Sequence, residues 1–207
     1  MKRNYDTIAL FYDRLAGLVY GKALVHARAF LLTGITPGST ILIAGGGTGW
    51  ELEAISKLFP SGLIITYVDA SAKMTALAAK RNIAGNKVAF ITAPIENALL
   101  DKRYDFIITP FLFDNFSDKS LQQIFPLLHN RLKPGGLWLH CDFLNTNVLW
   151  QRALLKIMYR FFRICCGIEA TRLPDTEGCF AQYNYQVLDQ KFFIGEFITA
   201  VHYKKAP

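Results

Sequence analysis

The fold of this chain is decided by the segment Thr40-Ile41-Leu42-Ile43-Ala44-Gly45-Gly46-Gly47-Thr48-Gly49-Trp50. Its apolar run ends in four glycines within five residues, which indicates a buried parallel strand that turns tightly into a helix. Such a turn leaves backbone N–H groups bare of side chains, so that a ligand can approach them closely. The segment therefore predicts a nucleotide-binding turn.

A second apolar run, residues 62–68, ends in Asp69, twenty residues past Gly49. An acid at the tip of the next strand can accept hydrogen bonds from both ribose hydroxyls of an adenosine held on the glycine turn. The turn and the acid together indicate an adenosine-containing cofactor.

The length of the chain predicts a single domain, 1–207, in which one sheet is covered by helices on both faces. The first residues lack the apolar stretch of a signal peptide, and nowhere do about 18 uncharged apolar residues run together. We therefore expect a cytoplasmic protein. The four cysteines do not have the spacing of a zinc site, so we expect no metal.

The charge of the chain is basic, with 23 Lys and Arg against 16 Asp and Glu. An excess of +7 suits an anionic partner such as a nucleic acid or a membrane surface. No cluster of Lys and Arg interleaved with aromatic residues resembles an RNA-binding signature, so we expect no nucleic-acid partner. The oligomeric state is left open.

Strand and helix patterns alternate from residue 40 onward, which predicts a parallel sheet with right-handed crossovers. Two helices are expected in residues 4–33, broken near residues 17–21. The predicted strands span residues 40–45, 63–69, 87–92, 104–109 and 137–143, and the predicted helices span residues 50–59, 72–83, 118–132 and 148–167. Ser71 is placed to cap the second of these helices, and residues 134–136 are expected to stop the helix before the fifth strand. Residues 186–204 predict a terminal hairpin, and a helix over 176–189 is the alternative for part of that stretch.

The glycine turn alone does not separate dinucleotide dehydrogenases from methyltransferases. The dehydrogenase pattern G-x-G-x-x-G places its third glycine where this chain has Trp50. The pattern present is G-x-G-x-G, and about 39 residues precede the first strand, whereas a dehydrogenase tends to begin with it. An NAD-dependent oxidoreductase is therefore the less favoured alternative.

Four motifs follow one another in this chain. Residues 41–49 correspond to V-L-D-V-G-C-G-T-G, residues 68–74 to V-D-x-S-x-x-M, residues 104–114 to F-D-x-V-x-x-x-x-x-L, and residues 132–136 to L-K-P-G-G. On these motifs the chain resembles the class I S-adenosylmethionine-dependent methyltransferases over residues 5–145. The resemblance implies a three-layer α/β Rossmann-like fold, with a seven-stranded, mostly parallel sheet of order 3-2-1-4-5-7-6 and strand 7 antiparallel.

The resemblance also implies S-adenosyl-L-methionine as cofactor and a small molecule as methyl acceptor. Carried onto this sequence, the cofactor contacts are Gly45, Gly46, Gly47, Thr48, Gly49, Asp69, Ala70, Met74, Ile95, Glu96, Thr109 and Tyr12. Residues 1–36 would form a helical lid, with Tyr5 and Tyr12 on one helix face, and residues 148–185 a helical cap.

Two positions depart from the family pattern. Ile43 stands where the family has an acid in the first strand, and Pro94 stands about where an adenine-binding Asp often lies, with Glu96 as a substitute. These departures keep open the alternative of a non-catalytic protein that binds S-adenosylmethionine or another partner.

Methyl transfer from a sulfonium is an in-line displacement that requires alignment and exclusion of water before it requires an acid or base. If a general base is used, it must project from the carboxyl ends of strands 4 and 5, where Asp114, His140 and Asp142 are the candidates. For each, a structural role is the alternative.

The helix over residues 149–167 combines a basic stripe with a broad apolar face. In the first interpretation this helix only covers the sheet. In the second it closes an apolar acceptor pocket walled by Phe111, Phe113 and Phe143. Basic amphipathic helices also bind anionic lipid, so peripheral membrane contact belongs to this second interpretation.

Overall fold

The computed structural model describes residues 5–9, 11–146 and 148–206, without the side chains of residues 12–14 and 16. Its seven strands form one sheet in the order β3-β2-β1-β4-β5-β7-β6. The strands are β1 Thr40–Ala44, β2 Ser61–Asp69, β3 Gly85–Thr92, β4 Tyr104–Pro110, β5 Leu132–Phe143, β6 Gln186–Phe193 and β7 Ile198–Lys204. β7 pairs antiparallel with β5 and with β6, and the other pairs are parallel. The predicted strand order and the antiparallel seventh strand are confirmed.

The helices lie on both faces of this sheet. They are α1 Tyr12–Tyr20, α2 Ala23–Leu32, α3 Trp50–Leu58, α4 Ala72–Ala78, α5 Asp118–Arg131, α6 Leu149–Cys166 and α7 Thr176–Gln182. Three-residue 3₁₀ turns occur at Tyr5–Thr7, Ile95–Asn97 and Phe113–Asn115. The predicted pair of helices before β1 is present, with the break at residues 21–22.

Alternation along the central strands divides the core into two clusters. On one face of the sheet, called the α2 face below, Ile41 and Ile43 of β1 pack in the same cluster as the inner residues of α2, α3 and α6. On the other face, called the α5 face, Leu42 and Ala44 pack in the cluster that contains the inner residues of α5 and α7. β1 is buried on both sides, as is usual for the centre of a parallel sheet, and its carboxyl end therefore opens between the two helix layers.

Three sequence-based boundaries are wrong. α4 ends at Ala78 rather than at residue 83, because the N–H groups of Lys80 and Arg81 bond to carbonyls three residues back and close the chain into a turn. β5 begins at Leu132, directly after α5, so residues 134–136 lie within the strand and do not separate it from the helix. They form a bulge, because Tyr104 of β4 pairs with Leu132 whereas Phe106 pairs with Leu137. The stretch 176–189 is helical only to Gln182, since residues 186–193 pair with β7.

Among the residues that the structure describes, no helix is long and apolar enough to cross a membrane.

Candidate functional site

The glycine turn after β1 is built on the ring of Tyr67. The Tyr67 hydroxyl donates a hydrogen bond of 2.6 Å to the Gly47 carbonyl, and a Cβ on Gly46 would lie 2.2 Å from the same ring. Gly45 and Gly47 have φ values of 70° and 61°, which favour glycine. The chain therefore passes directly over the Tyr67 ring, which leaves no room for a side chain at Gly46. Sequence reasoning missed Tyr67, although it lies two residues before the predicted ribose acid.

Asp69, at the end of β2, is joined to this turn. One carboxylate oxygen accepts the Gly47 N–H at 2.8 Å, and the other accepts the Ser71 N–H at 2.8 Å. Burial raises the pKa of Asp69 to about 6, against the opposing effect of these two hydrogen bonds. Each carboxylate oxygen can accept more than one hydrogen bond, so Asp69 retains acceptor capacity for a pair of hydroxyl groups.

A cavity of about 280 Å³ lies over the turn and Asp69. Nine of the twelve predicted cofactor contacts line it: Gly45, Gly46, Gly47, Thr48, Asp69, Ala70, Met74, Ile95 and Glu96. Pro94 lines it as well, whereas Ile43 is fully buried in the core cluster of the α2 face. The side chain of Tyr12 lies outside the described residues. The cavity brings together the strand ends that the motifs predicted, and the role of each side chain in binding stays a prediction.

Gly49 and Thr109 do not line this cavity. Gly49 is the N-cap of α3, and a Cβ there would lie 2.7 Å from the backbone of Ala78, so this glycine allows α3 and α4 to pack closely. Thr109 is fully buried and accepts a hydrogen bond of 2.9 Å from the Trp138 indole. Gly49 therefore serves helix packing, and the Thr109 side chain faces the opposite core cluster. Contact of either residue with the cofactor stays a prediction.

The segment before α1 closes one side of the cavity. Asp6 accepts hydrogen bonds from the Ser71 hydroxyl and from the Lys73 N–H at the start of α4. Tyr5 donates to the side chain of Asn115 after β4, and its ring packs 5.8 Å from that of Phe162 on α6. This short segment thus ties α4 to α6 across the cavity.

A second cavity, of about 190 Å³, lies between α1, α6 and the end of β4. It shares Tyr5, Leu24, Phe111 and Asn115 with the first cavity, so the two meet at the carboxyl end of β4. Its other lining residues are mainly apolar or aromatic: Leu15, Val19, Tyr20, Phe143, Ile157, Met158, Phe161, Phe162 and Asp114. Sequence reasoning missed Tyr20 and Asn115, because neither belongs to a motif.

Phe111 stands at the junction of the cavities with a φ of 51°, a conformation that bulky side chains rarely adopt. Its N–H bonds to the Cys141 carbonyl, which holds the chain in this conformation, and its ring packs 5.1 Å from that of Phe143. Phe113, by contrast, is wrong as a pocket residue. The 3₁₀ turn after β4 carries its ring to the opposite face of the sheet, 6.1 Å from Trp138.

His140 is also wrong as an acid–base candidate at either cavity. It is 2% exposed, its Nδ1 lies 3.0 Å from the Thr109 hydroxyl, and its ring packs between those of Phe113 and Phe180. Burial lowers its pKa to about 3, so the ring is neutral at ordinary pH. Its position on the α5 face separates it from both cavities.

Asp142 and Asp114 form a buried acid pair of which only Asp114 lines the second cavity. Asp142 accepts three backbone hydrogen bonds, from Phe113, Asp114 and Phe143, and these favour its ionised form. Burial and the charge of Asp142 raise the pKa of Asp114 well above its usual value. Burial also raises the pKa of Asp142, to about 7, so Asp114 holds its proton more firmly than Asp142 does. Asp142 shapes the loop after β4 and does not line either cavity.

The chain is similar in sequence to known methyltransferases. A family model described as a methyltransferase domain matches residues 41–136. The chain is 32% identical over 161 residues to a malonyl-[acyl-carrier protein] O-methyltransferase of Bacillus cereus, covering 74% of this chain and 58% of the relative. It is 30% identical over 205 residues to the protein of that name from Bacillus anthracis, covering 88% of this chain and 73% of the relative. The chain thus spans little more than half the length of the first of these relatives.

The fold is shared with solved structures at low sequence identity. A magnesium protoporphyrin IX methyltransferase from Synechocystis PCC 6803, solved with bound S-adenosylhomocysteine, superposes with a TM-score of 0.64. Its identity to this chain is 16%, and the match covers 89% of this chain and 83% of that one. At such identity the likeness establishes the fold alone.

Proposed function

The chain belongs to the methyltransferase-domain family, and we propose that it transfers a methyl group from S-adenosyl-L-methionine to a small apolar or aromatic molecule. The observation that carries this proposal is the pair of cavities that meet at Phe111 and Asn115, one over the glycine turn and one walled by apolar side chains. Transfer between two bound molecules needs such a junction. We expect the reaction to occur in the cytoplasm.

The first cavity fits the cofactor that the family uses. Gly47 lines it, and a Cβ on Gly47 would meet no atom within 4 Å, so the missing side chain leaves open space above the turn. Asp69 would accept the ribose hydroxyls, while Ala70 and Met74, which also line the cavity, would flank the adenine ring. When bound, the cofactor would supply a methyl group on a sulfonium, and the residues of the glycine turn and Asp69 would hold it in the first cavity.

The second cavity favours an apolar acceptor. Phe143, Phe161 and Phe162 contribute aromatic surface, and Asp114 is a buried acid that we assign as neutral. A neutral carboxyl group can donate a hydrogen bond, so Asp114 would orient an oxygen of the acceptor rather than remove a proton from it. Asn115, held by Tyr5 and by its bonds to the carbonyls of Phe111 and Leu112, fixes the wall between the cavities.

The contribution of the protein to rate would then come from alignment and exclusion of water. Holding two reactants in line is worth up to about 7–11 kcal/mol of the barrier in favourable cases. Tyr5, on the N-terminal segment, and Phe111, on the loop after β4, both line the two cavities where they meet. No proton transfer is needed if the acceptor atom is already nucleophilic.

Transfer of a labelled methyl group tests this function. The chain is incubated with methyl-tritiated S-adenosylmethionine and with separate organic-phase and aqueous-phase extracts of bacterial cells. We expect label to appear in an organic-soluble product, and an Asp69→Ala variant to incorporate less of it when the cofactor is limiting. Label confined to water-soluble products would contradict the acceptor class, and no transfer to either extract despite cofactor binding would favour the non-catalytic alternative.

A further inference from the structure

One side of α6 exposes an apolar stripe to solvent. Trp150, Ile157, Phe161 and Ile164 are 49%, 66%, 36% and 76% exposed, and their spacing of seven, four and three residues places them on one line along the helix. The buried residues of α6, among them Leu155 and Met158, face the core instead. A helix that only covered the sheet would place polar side chains at these exposed positions.

A cationic stripe runs beside the apolar one. Arg152, Lys156, Arg160 and Arg163 are all exposed, and the 18 residues of α6 include no acid. At about 100° per residue, these four side chains occupy the arc between the apolar stripe and the buried face. α6 therefore presents apolar and basic surface side by side, the pattern of helices that lie in the interface of an anionic membrane.

The second cavity opens at this apolar surface. Ile157 and Phe161 belong both to the stripe and to the lining of the cavity. Val19 of α1 also lines the cavity and is 44% exposed, next to Leu18, which is 85% exposed. The mouth of an apolar cavity is thus surrounded by exposed apolar side chains from two helices.

We propose that α6 and the end of α1 dock this protein on the surface of an anionic lipid bilayer, with the mouth of the second cavity facing the lipid. The apolar stripe enters the boundary between headgroups and acyl chains, and the cationic stripe lies against the lipid phosphates. An anionic bilayer complements both stripes, because it offers phosphates to the cations and acyl chains to the apolar side chains. A nucleic acid would leave the exposed Ile and Leu side chains without an apolar partner. A second copy of the chain would bring two cationic stripes together, and these would repel each other. Delivery of a lipid-soluble acceptor through the mouth rests on the proposed function, whereas docking does not.

Vesicle flotation tests docking without cofactor or turnover. The full chain is mixed with phosphatidylcholine vesicles, with or without 30% phosphatidylglycerol, and the floated fraction is measured at low and at high salt. We expect flotation with the anionic vesicles, reduced by salt because screening weakens the attraction between charges. Each cation near an anionic surface contributes about fivefold to partitioning, so Arg160→Gln with Arg163→Gln should reduce it roughly twenty-five-fold.

Control variants show whether flotation depends on the two stripes or on exposed apolar and cationic side chains in general. Ile164→Ser removes an exposed apolar side chain outside the cavity and should reduce flotation, whereas Leu99→Ser, at a position 92% exposed outside both helices, should not. Lys87→Gln with Lys204→Gln removes two exposed cations from β3 and β7 and should leave flotation nearly unchanged. Circular dichroism checks that each variant keeps the native fold.

Three results would overturn the proposal. They are failure to float with anionic vesicles at low salt, equal loss of flotation in the stripe variants and in their controls, and a concentration-dependent dimer that Ile164→Ser disperses. None of them depends on methyl transfer, so they are distinguishable from failure of the proposed function.

Discussion

Asp69 is the residue at which the sequence pattern and the site geometry meet. It holds the Gly47 and Ser71 N–H groups while facing the first cavity. Replacing it with Ala should remove two hydrogen bonds to the cofactor ribose, worth about 1.5–3 kcal/mol together, or roughly ten- to a hundredfold in affinity. Calorimetric titration with S-adenosylhomocysteine measures this, with Asp101→Ala at an exposed loop position as the control.

The same residue should make binding depend on pH. Its pKa of about 6 means that the carboxylate, the stronger acceptor for ribose hydroxyls, is lost as pH falls below 6. Affinity of the native chain should therefore decline from pH 7 to pH 5, whereas that of Asp69→Ala should stay flat. An unchanged affinity in the variant at pH 7 would move the ribose site elsewhere.

Gly46 is required by the ring beneath it. A Cβ at this position would lie 2.2 Å from Tyr67, which is fully buried. We expect Gly46→Ala to lower the free energy of unfolding by about 1–3 kcal/mol in the native background, as overpacking does. In a Tyr67→Ala background the cost should nearly vanish, since the double-mutant cycle isolates the contact between the two residues. Equal costs in both backgrounds, measured by urea denaturation, would show that another contact excludes the side chain.

Asp114 should give folding stability a distinct pH dependence. The unfolded chain releases this proton near pH 3.8, whereas the folded chain retains it, because burial and Asp142 raise the pKa. The stability that this group contributes is complete below pH 3.8 and is lost as pH rises towards the raised folded value. An Asn cannot titrate, so the stability of Asp114→Asn relative to the native chain should grow by about 1.4 kcal/mol per pH unit in that window.

Urea denaturation at pH 5 and pH 7 measures this difference, with Asp189→Asn at an exposed position as the control. A gap between Asp114→Asn and the native chain that is the same at both pH values would mean that Asp114 is ionised when folded.

Individual residues were predictable where a motif fixes the backbone, and less so elsewhere. The glycines and Asp69 follow from the turn itself. Phe113 and His140 were misplaced because their side chains follow the geometry of the 3₁₀ turn and the pleat, which direct them to the α5 face of the sheet. No local signal in the sequence distinguishes Phe111 from Phe113, although the two face opposite core clusters.

The N-terminal segment, residues 5–9, borders the first cavity and is part of the predicted lid. Asp6 links it to the start of α4, and Tyr5 links it to Asn115 and α6. We expect Asp6→Ala to speed the dissociation of S-adenosylhomocysteine, because the segment then covers the cavity less of the time. Stopped-flow displacement measures the rate, and Tyr5→Phe, which keeps the ring against Phe162, should have a smaller effect. Dissociation at the native rate in Asp6→Ala would leave the segment without a role as a lid.

The two ends of α4 differ in how far the sequence predicts them. Ser71 accepts the Met74 N–H and starts α4 as expected, whereas the end of α4 depends on a turn that brings Arg81 back to the Thr48 carbonyl. Such a return contact joins residues 33 positions apart, so local periodicity does not reveal it. The early start of β5 likewise depends on pairing with β4, where Lys133 meets Asp105 at 2.7 Å.

At the scale of the whole molecule, the sheet order was predictable because four motifs occur in the order and spacing of a known family. Local propensity predicts where strands occur but not the order in which they pair. The motifs supplied that order because they identify a family whose sheet topology is known. The second cavity was predictable only in its composition, since its shape arises from α1, α6 and the loop after β4, which are far apart in the sequence.

The central claim is that the cavity over the glycine turn binds S-adenosylmethionine. Calorimetric titration of the purified chain with S-adenosylhomocysteine tests it most directly, because binding of this product needs no knowledge of the acceptor. We expect one site per chain, weakened ten- to a hundredfold by Asp69→Ala, and no heat of binding with NADH. Absence of binding at millimolar S-adenosylhomocysteine, or tighter binding of NADH, would contradict it.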